Sequence, residues 1–199
     1  MSTSSLPVAD AVTATAVDRQ DPKLEVRGGV AIRRLDRGDV AEMARLFDAM
    51  SPSGRYLRFL APMPSIPAWF LERLADPDGV SHIVLVARAD DRPIGEARFV
   101  RSSVAPDTAE FAVAVVDDHQ RRGVARALLA ALADEASRAG IRRFTFDVGP
   151  ANRPMLSWLC RRGARIRFDE GVMTGDVLAR AFLTHPPEAG DRDDLGRCA

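Results

Sequence analysis

The run Gln120-Arg121-Arg122-Gly123-Val124-Ala125 stands where a strand pattern turns into a helix pattern. Upstream, Glu110-Phe-Ala-Val-Ala-Val-Val116 is apolar and β-branched after its first residue; downstream, Leu128, Leu129, Leu132 and Ala136 recur at three- and four-residue spacing. The first amides of the helix have no acceptor within it, and its dipole adds partial positive charge, so a diphosphate can bind there. Gly123 lets that backbone come close to a ligand, and Arg121, Arg122 and Arg126 add full charges and forked donors beside it. The plainer alternative is an ordinary helix start with solvated arginines. The order of strand, glycine and amphipathic helix, with a further strand-helix unit behind them, favours the cradle. The run matches neither Gly-x-Gly-x-x-Gly nor Gly-x-x-x-x-Gly-Lys-Ser/Thr, so dinucleotide and nucleoside-triphosphate sites are not expected.

The elements that must position this junction are legible on either side of it. Val30-Ala-Ile-Arg-Arg-Leu35 predicts a first strand, and Asp36 or Asp39 caps a helix carrying Val40, Met43, Leu46 and Phe47, which Ser51-Pro-Ser-Gly54 stops. Arg55 to Leu60 reads as a short aromatic segment, and a helix follows from about Ala68 to Ala75. His82 to Ala87 and Ile94 to Val100 predict a hairpin around Asp90-Asp91-Arg92-Pro93, and Thr108 to Val116 a third strand of that meander. The main helix is expected from Gln120 or Arg121 to Ala139, closed by Gly140. Then come a strand from Arg142 to Val148, a helix from about Arg153 to Arg162, and a last hairpin, Arg165 to Phe168 with Val172 to Val177. A helical connection lets the strands on either side of the main helix lie parallel.

Composition narrows the rest. With 199 residues and 46% hydrophobic content, the expectation is one domain, residues 30–183, between an N-terminal arm at 1–29 and a C-terminal tail at 184–199. Twenty-eight basic residues balance 28 acidic ones, so nothing global favours nucleic acid or an anionic membrane, and any anion site must be local. Lys23 is the sole lysine. Cys160 and Cys198 are far apart without Cys-x-x-Cys spacing, and the three histidines lack mutual ligand spacing, so neither a disulfide framework nor a metal site is expected. No stretch reads as a signal peptide or membrane span, which makes a cytoplasmic protein the expectation.

The 120–125 run matches the Gln/Arg-x-x-Gly-x-Gly/Ala signature of the GNAT acyltransferases, and the order of elements from Val30 to about Leu178, the Asn152 turn and Arg161-Arg-Gly-Ala164 also resemble that family. Ser51-x-x-x-Arg55-Tyr-Leu-Arg-Phe-Leu60, Gly95-Glu-Ala-Arg98 and Asn152-Arg-Pro-Met155 are most similar to the catalytic domain of bacterial protein lysine acetyltransferases. The resemblance implies an α/β GNAT fold: a mixed, mostly antiparallel sheet with a central, splayed parallel strand pair and flanking helices. It also implies acetyl-CoA as co-substrate and a primary amine, foremost a protein lysine, as acceptor. The pantetheine arm would enter the splay along Phe111 to Val115, touching Val113, Ala114 and Val115, while Gln120, Arg121, Arg122, Gly123, Val124, Ala125 and Arg126 hold the diphosphate. Asn152 has a plain role as helix N-cap, and the resemblance adds a cofactor contact.

An alkylammonium, with an ordinary pKa of about 10.4, must lose a proton before it attacks a thioester. The resemblance assigns the general base to Glu110, which is otherwise an exposed strand residue or an ion-pair partner of Arg98; Glu96 is the runner-up, with pairing to an arginine as its plainer role. Asp117 and Asp118 shape the turn or cap the helix, and His119 stands near the cradle. Many members of the family place a tyrosine seven residues after the asparagine to protonate the leaving thiolate, but here the residue is Leu159, beside Cys160, which reads as packing. Tyr56, Phe59 and Trp69 are candidates for the acceptor entrance. Two further readings stand beside protein lysine acetylation: acetylation of a small-molecule amine, and a catalytically weak acyl-CoA sensor. Control by a fused nucleotide-binding domain is not expected.

Overall fold

In the computed structural model, which describes residues 24–26 and 29–183, the β-branched runs become strands of one sheet. Among the described residues these are β1 (Leu24–Val26), β2 (Val30–Arg34), β3 (His82–Ala89), β4 (Arg92–Arg101), β5 (Thr108–Val115), β6 (Arg143–Val148), β7 (Arg165–Asp169) and β8 (Val172–Leu178). Their spatial order is β1-β2-β3-β4-β5-β6-β8-β7, and every neighbouring pair is antiparallel except β5 and β6. The exception has a covalent cause: β5 reaches β6 through a helix, α4 (Val124–Arg138), which returns the chain to the end of the sheet where β5 began. The expected mixed sheet with one central parallel pair is therefore present.

Alternation along β4 sorts the two faces of the sheet. Gly95, Ala97 and Phe99 point toward α4, whose Leu128, Leu129, Leu132 and Ala136 are fully buried. Gly95 is required by that approach, because a Cβ there would lie 2.9 Å from the Ala114 carbonyl oxygen and 3.1 Å from a Leu128 methyl. The opposite face of β4 meets α1 (Val40–Asp48), α2 (Pro52–Phe59) and α3 (Ala68–Leu74), which are joined by the Phe47–Phe59 and Phe59–Phe70 ring contacts at 5.1 and 5.5 Å. On this face an otherwise apolar strand carries Glu96 and Arg98 into the interior, with Glu96 fully buried. Arg58 Nε of α2 and Arg98 Nε each donate to a different oxygen of the Glu96 carboxylate, both at 2.8 Å, and Arg98 Nη1 donates to the Leu74 carbonyl at 3.1 Å. The triad thus ties α2 and the end of α3 to the centre of the sheet.

Several local expectations are corrected. Residues 52–59 form a helix rather than an irregular aromatic segment: Ser51 caps it by accepting from the Gly54 amide at 3.0 Å, and Pro52 occupies the first turn, where its missing N–H is harmless. The Ser-Pro-Ser-Gly run ends one helix by starting another. The main helix begins at Val124 rather than Gln120 or Arg121, preceded by a 3-10 turn at Asp117–His119. Strand β1 pairs with β2 inside the stretch read as an arm, so the sheet starts earlier than the sequence predicts. The remainder of that arm, residues 1–23 and 27–28, and the tail at 184–199 lie outside the described residues. Cys160, at the end of α5 (Arg153–Cys160), is disulfide-bonded rather than an unpaired packing thiol.

Burial alone would raise the Glu96 pKa, but the charges of Arg98 and then Arg58, with their hydrogen bonds, hold it below the ordinary carboxylate value. Removing the carboxylate leaves two guanidinium groups without their counter-charge, so Glu96→Ala is expected to lose about 3–5 kcal/mol in urea denaturation at neutral pH. Because the folded pKa is depressed, the wild-type contribution is present above the unfolded carboxylate pKa and fades as pH falls through the lower folded value. The stability difference between wild type and variant should therefore shrink only at acid pH.

Candidate active site

The parallel ladder between β5 and β6 is short. Thr108 pairs with Arg143, Ala109 with Phe144 and Glu110 with Thr145, and there it stops, although β5 runs on to Val115 and β6 to Val148. From Phe111 to Val115 the strand remains paired with β4 on one side and has no strand partner on the other. That is about 17 Å of open edge at roughly 3.3 Å per residue. Apart from the Val115 carbonyl, the amides and carbonyls on that side can bond an extended ligand lying along the edge. An aromatic cluster floors the fork: Phe111 meets Phe144 at 5.3 Å, Phe146 at 5.9 Å and Phe182 at 5.6 Å between ring centres.

At the far end of the open edge the chain makes the expected turn. The Gln120 side chain donates to the Val115 carbonyl at 3.1 Å, pinning the loop to the end of the strand. Arg121 at φ 59° and Gly123 at φ 85° are both left-handed, a conformation natural to glycine and strained for arginine. A Cβ on Gly123 would meet nothing within 4 Å, so its backbone angle, rather than crowding by the protein, calls for glycine. No side chain caps α4, and the first intrahelical bond from this end runs from the Ala127 amide to Gly123 O at 3.0 Å. The amides of Val124, Ala125 and Arg126 are therefore presented as donors at the positive end of a long helix.

Fork and helix start open into one cleft of about 460 Å³. One wall is α2, through Gly54, Leu57 and Arg58; the other is α5, through Pro154, Met155, Trp158 and Arg161 at the spacing of one helical face. Arg58, Arg121, Arg126 and Arg161 line the cleft, and no carboxylate does. In a chain of zero net charge, this is a local positive site. Ser51 braces α2 against the turn after β5: its Oγ donates to Asp117 at 2.8 Å and its amide donates to the same carboxylate at 2.9 Å. The Ser51 amide, with its hydroxyl, holds the Asp117 carboxyl below the ordinary range.

Val113, Ala114, Val115, Gln120, Arg121, Gly123, Val124, Ala125, Arg126 and Asn152 all line this cleft. Arg122 does not; its side chain is exposed. Asn152 caps α5, its Oδ1 accepting from the Met155 amide at 3.3 Å, which leaves its NH₂ group to face a ligand. Glu110 is exposed at the vertex of the fork, level with Val100 and Thr145, and the expected alternative of a pair with Arg98 is not formed, since Arg98 bonds Glu96 instead. Glu96 has the arginine-pairing role and no exposure to solvent. His119 lines the cleft, with its Nδ1 buried and unpartnered. Tyr56, Phe59 and Trp69 do not line it; Leu57 and Arg58 stand where an aromatic entrance was expected. The contribution of α5 was missed apart from Asn152, although the 154, 155, 158, 161 spacing is its signal. Leu159 is fully buried and offers no proton. Among the described residues no group of three His, Cys, Asp or Glu could hold a metal ion, and no helix is long and apolar enough to cross a membrane.

Comparison with known proteins agrees with this architecture. The acetyltransferase (GNAT) family profile matches residues 28–163. The chain is 37% identical over 121 residues to Acetyltransferase Pat of Mycolicibacterium smegmatis, a match that covers 59% of this chain and 36% of that protein. It thus spans little more than a third of that relative. The solved GNAT domain of S. lividans PAT is 31% identical, with a TM-score of 0.70 over 75% of this chain and 90% of that one. A cAMP-binding acyltransferase from Mycobacterium smegmatis is 29% identical, with a TM-score of 0.55 over 88% of this chain and 51% of that one. A family profile matched over most of the chain and a shared fold lead to one assignment: the chain belongs to the GNAT family of acetyltransferases.

Proposed function

We propose that the protein transfers acetyl from acetyl-CoA to a primary amine, foremost a protein lysine, by direct attack within a ternary complex, with Glu110 as general base. The observation that carries this reading is the ladder that closes at Glu110 and opens beyond it. The amides of Val124, Ala125 and Arg126 and the Arg121 guanidinium hold a diphosphate at the distal end of the open edge. Val113, Ala114 and Val115 then bond the pantetheine arm as it runs back along the strand. A ligand laid in that direction brings its acyl end toward the vertex, where Glu110 is the exposed carboxylate of β5. There Glu110 accepts the ammonium proton, directly or through water; the amine forms the new C–N bond, the C–S bond breaks, the nitrogen gives up its second proton to solvent, and the thiolate takes a proton from solvent.

The proposed acceptor surface adjoins that vertex. On the Glu110 face, register continues from Thr145 to Asp176 and Arg165 across β6, β8 and β7, with Asp147, Thr174 and Arg167 on neighbouring rows, all at least partly exposed. A flat polar face open to solvent suits a lysine carried on a folded protein more than a small amine that must be enclosed. The similarity to Acetyltransferase Pat and to the GNAT domain of S. lividans PAT supports the acetyl transfer in this reading. A cytoplasmic setting belongs to this proposal as well.

Glu110→Gln keeps size and hydrogen bonding but removes the proton acceptor. Coenzyme A affinity should persist while turnover near neutral pH falls by roughly 10²- to 10⁴-fold. The variant should recover partly at alkaline pH, where more of the amine is free. Turnover within about threefold of wild type, with chemistry rate-limiting, would remove Glu110 from the role. If acetyl-CoA binds but neither hydrolysis nor transfer to any protein or amine follows, the chain is an acyl-CoA sensor instead.

The cradle has its own test. Gly123→Val forces a β-branched side chain into a left-handed backbone, a strain of about 1–2 kcal/mol, and Arg121→Glu sets a negative charge against the diphosphate. Both are expected to weaken coenzyme A at least roughly tenfold in titration calorimetry. Unchanged affinity in both variants would exclude diphosphate binding at this turn.

A further inference from the structure

The basic character of the cleft extends past the helix start. Arg126 in the first turn of α4 and Arg161 just past α5 both line it, and Arg162, next to Arg161 in the chain, has its guanidinium 3.7 Å from the Trp158 ring centre. Among the described residues none of these three forms an ion pair, whereas Arg33, Arg34, Arg58, Arg88, Arg98 and Arg143 all do. Arg162 Nη1 donates only a long bond, 3.5 Å, to the Trp158 carbonyl, and its Nε is buried without a partner. Burial, and then repulsion by the charges of Arg126 and Arg161, push the Arg162 guanidinium down to about 10. An anion arriving there relieves that repulsion.

The diphosphate does not need this cluster, because the α4 amides and Arg121 already face it. Three cations gathered from two elements suit a more highly charged group. A phosphomonoester carries close to two negative charges at neutral pH and three acceptor oxygens, and guanidinium forks match that geometry. Taking the acetyl-CoA cleft as given, we propose that Arg126, Arg161 and Arg162 form a phosphomonoester subsite that reads the 3′-phosphate of coenzyme A, making the protein selective for coenzyme A over 3′-dephospho-coenzyme A. Arg161, exposed and lining the cleft, supplies the most direct contact, while Trp158 holds Arg162, next to it in the chain, in place.

Calorimetric titration of the whole chain with coenzyme A and with 3′-dephospho-coenzyme A tests this. Wild type should bind the dephospho form roughly 10- to 100-fold more weakly, and the difference should shrink as salt rises. Arg161→Ala should weaken coenzyme A about tenfold while leaving the dephospho form within about twofold, so that the preference collapses. Arg180→Ala, which removes an exposed arginine outside the cleft, should keep the full preference. Equal affinity of wild type for both ligands, or a preference that survives Arg161→Ala unchanged, would overturn the subsite while leaving the cofactor reading intact. Failure to bind either ligand would overturn the cofactor reading, and the subsite with it.

Discussion

A parallel ladder that joins β5 to β6 from Thr108 to Glu110 and no further leaves the rest of β5 with one side of its backbone unpaired in the middle of a sheet. Unpaired strand groups are costly inside a protein unless water or a ligand reaches them, so the sheet must open to solvent there. Everything around the fork keeps it open. Beneath, Phe111, Phe144, Phe146 and Phe182 pack at ring separations of 5.3 to 6.0 Å and fill the volume that continued pairing would close. At its mouth, the bond from Gln120 to the Val115 carbonyl turns the chain sharply into α4. The strand edge and the uncapped helix start are thus successive features of one chain segment, and a ligand with an extended arm and a diphosphate meets both.

The α2 wall is held by polar contacts rather than by a large apolar face. Gly54 is the one residue of α2 that is fully buried, and Tyr56 and Leu57 are exposed. Beside the Phe59 ring contacts, what fixes the helix is Arg58 to Glu96 at one end and Ser51 to Asp117 at the other. Both ties depend on geometry: a guanidinium meeting a desolvated carboxylate, and a hydroxyl that accepts from Gly54 while donating to Asp117. They set α2 in relation to β4 and to the turn after β5, the same two elements that frame the cleft. Interactions of this kind contribute more to placing a wall than to net stability, since desolvating Glu96 and Arg98 offsets much of their attraction.

How far the sequence disclosed this depends on whether one segment or several set the feature. The strand-to-helix junction was legible because Val113 to Ala136 changes period from two to 3.6 within a few residues. Its detail was not: the backbone holds Arg121 at φ 59° and the helix starts only at Val124, beside the Gln120 bond to the Val115 carbonyl. Helix α2 escaped because Ser51 and Pro52, read as a stop, are a cap and a first-turn proline. The partner of Arg98 could not be chosen from sequence, since Glu96 two residues away and Glu110 across the hairpin both fit alternation; on their shared face Glu96 is buried beside Arg98 and Glu110 is exposed. The α5 wall was hidden for a related reason, as Arg126 and Arg161 become neighbours of one cleft only when the chain is folded.

Charge placement around the fork follows from the same arrangement. The cleft is lined by four arginines and no carboxylate, while Glu110 stands outside that lining, at the vertex and on the face shared with Thr145, Asp176 and Arg165. A negative group among the arginines would pair with them and be lost both as a proton acceptor and as open space for an anion. In the proposed function, separating the two by the length of the open strand edge would let one element serve opposite electrostatic demands: anion binding where β5 ends and proton acceptance where its ladder stops. The extended strand is what makes the separation possible, because each residue adds roughly 3.3 Å in a fixed direction while its side chains alternate between faces. A helix of the same number of residues would span less than half that distance and would set the Glu110 carboxylate back among the arginines.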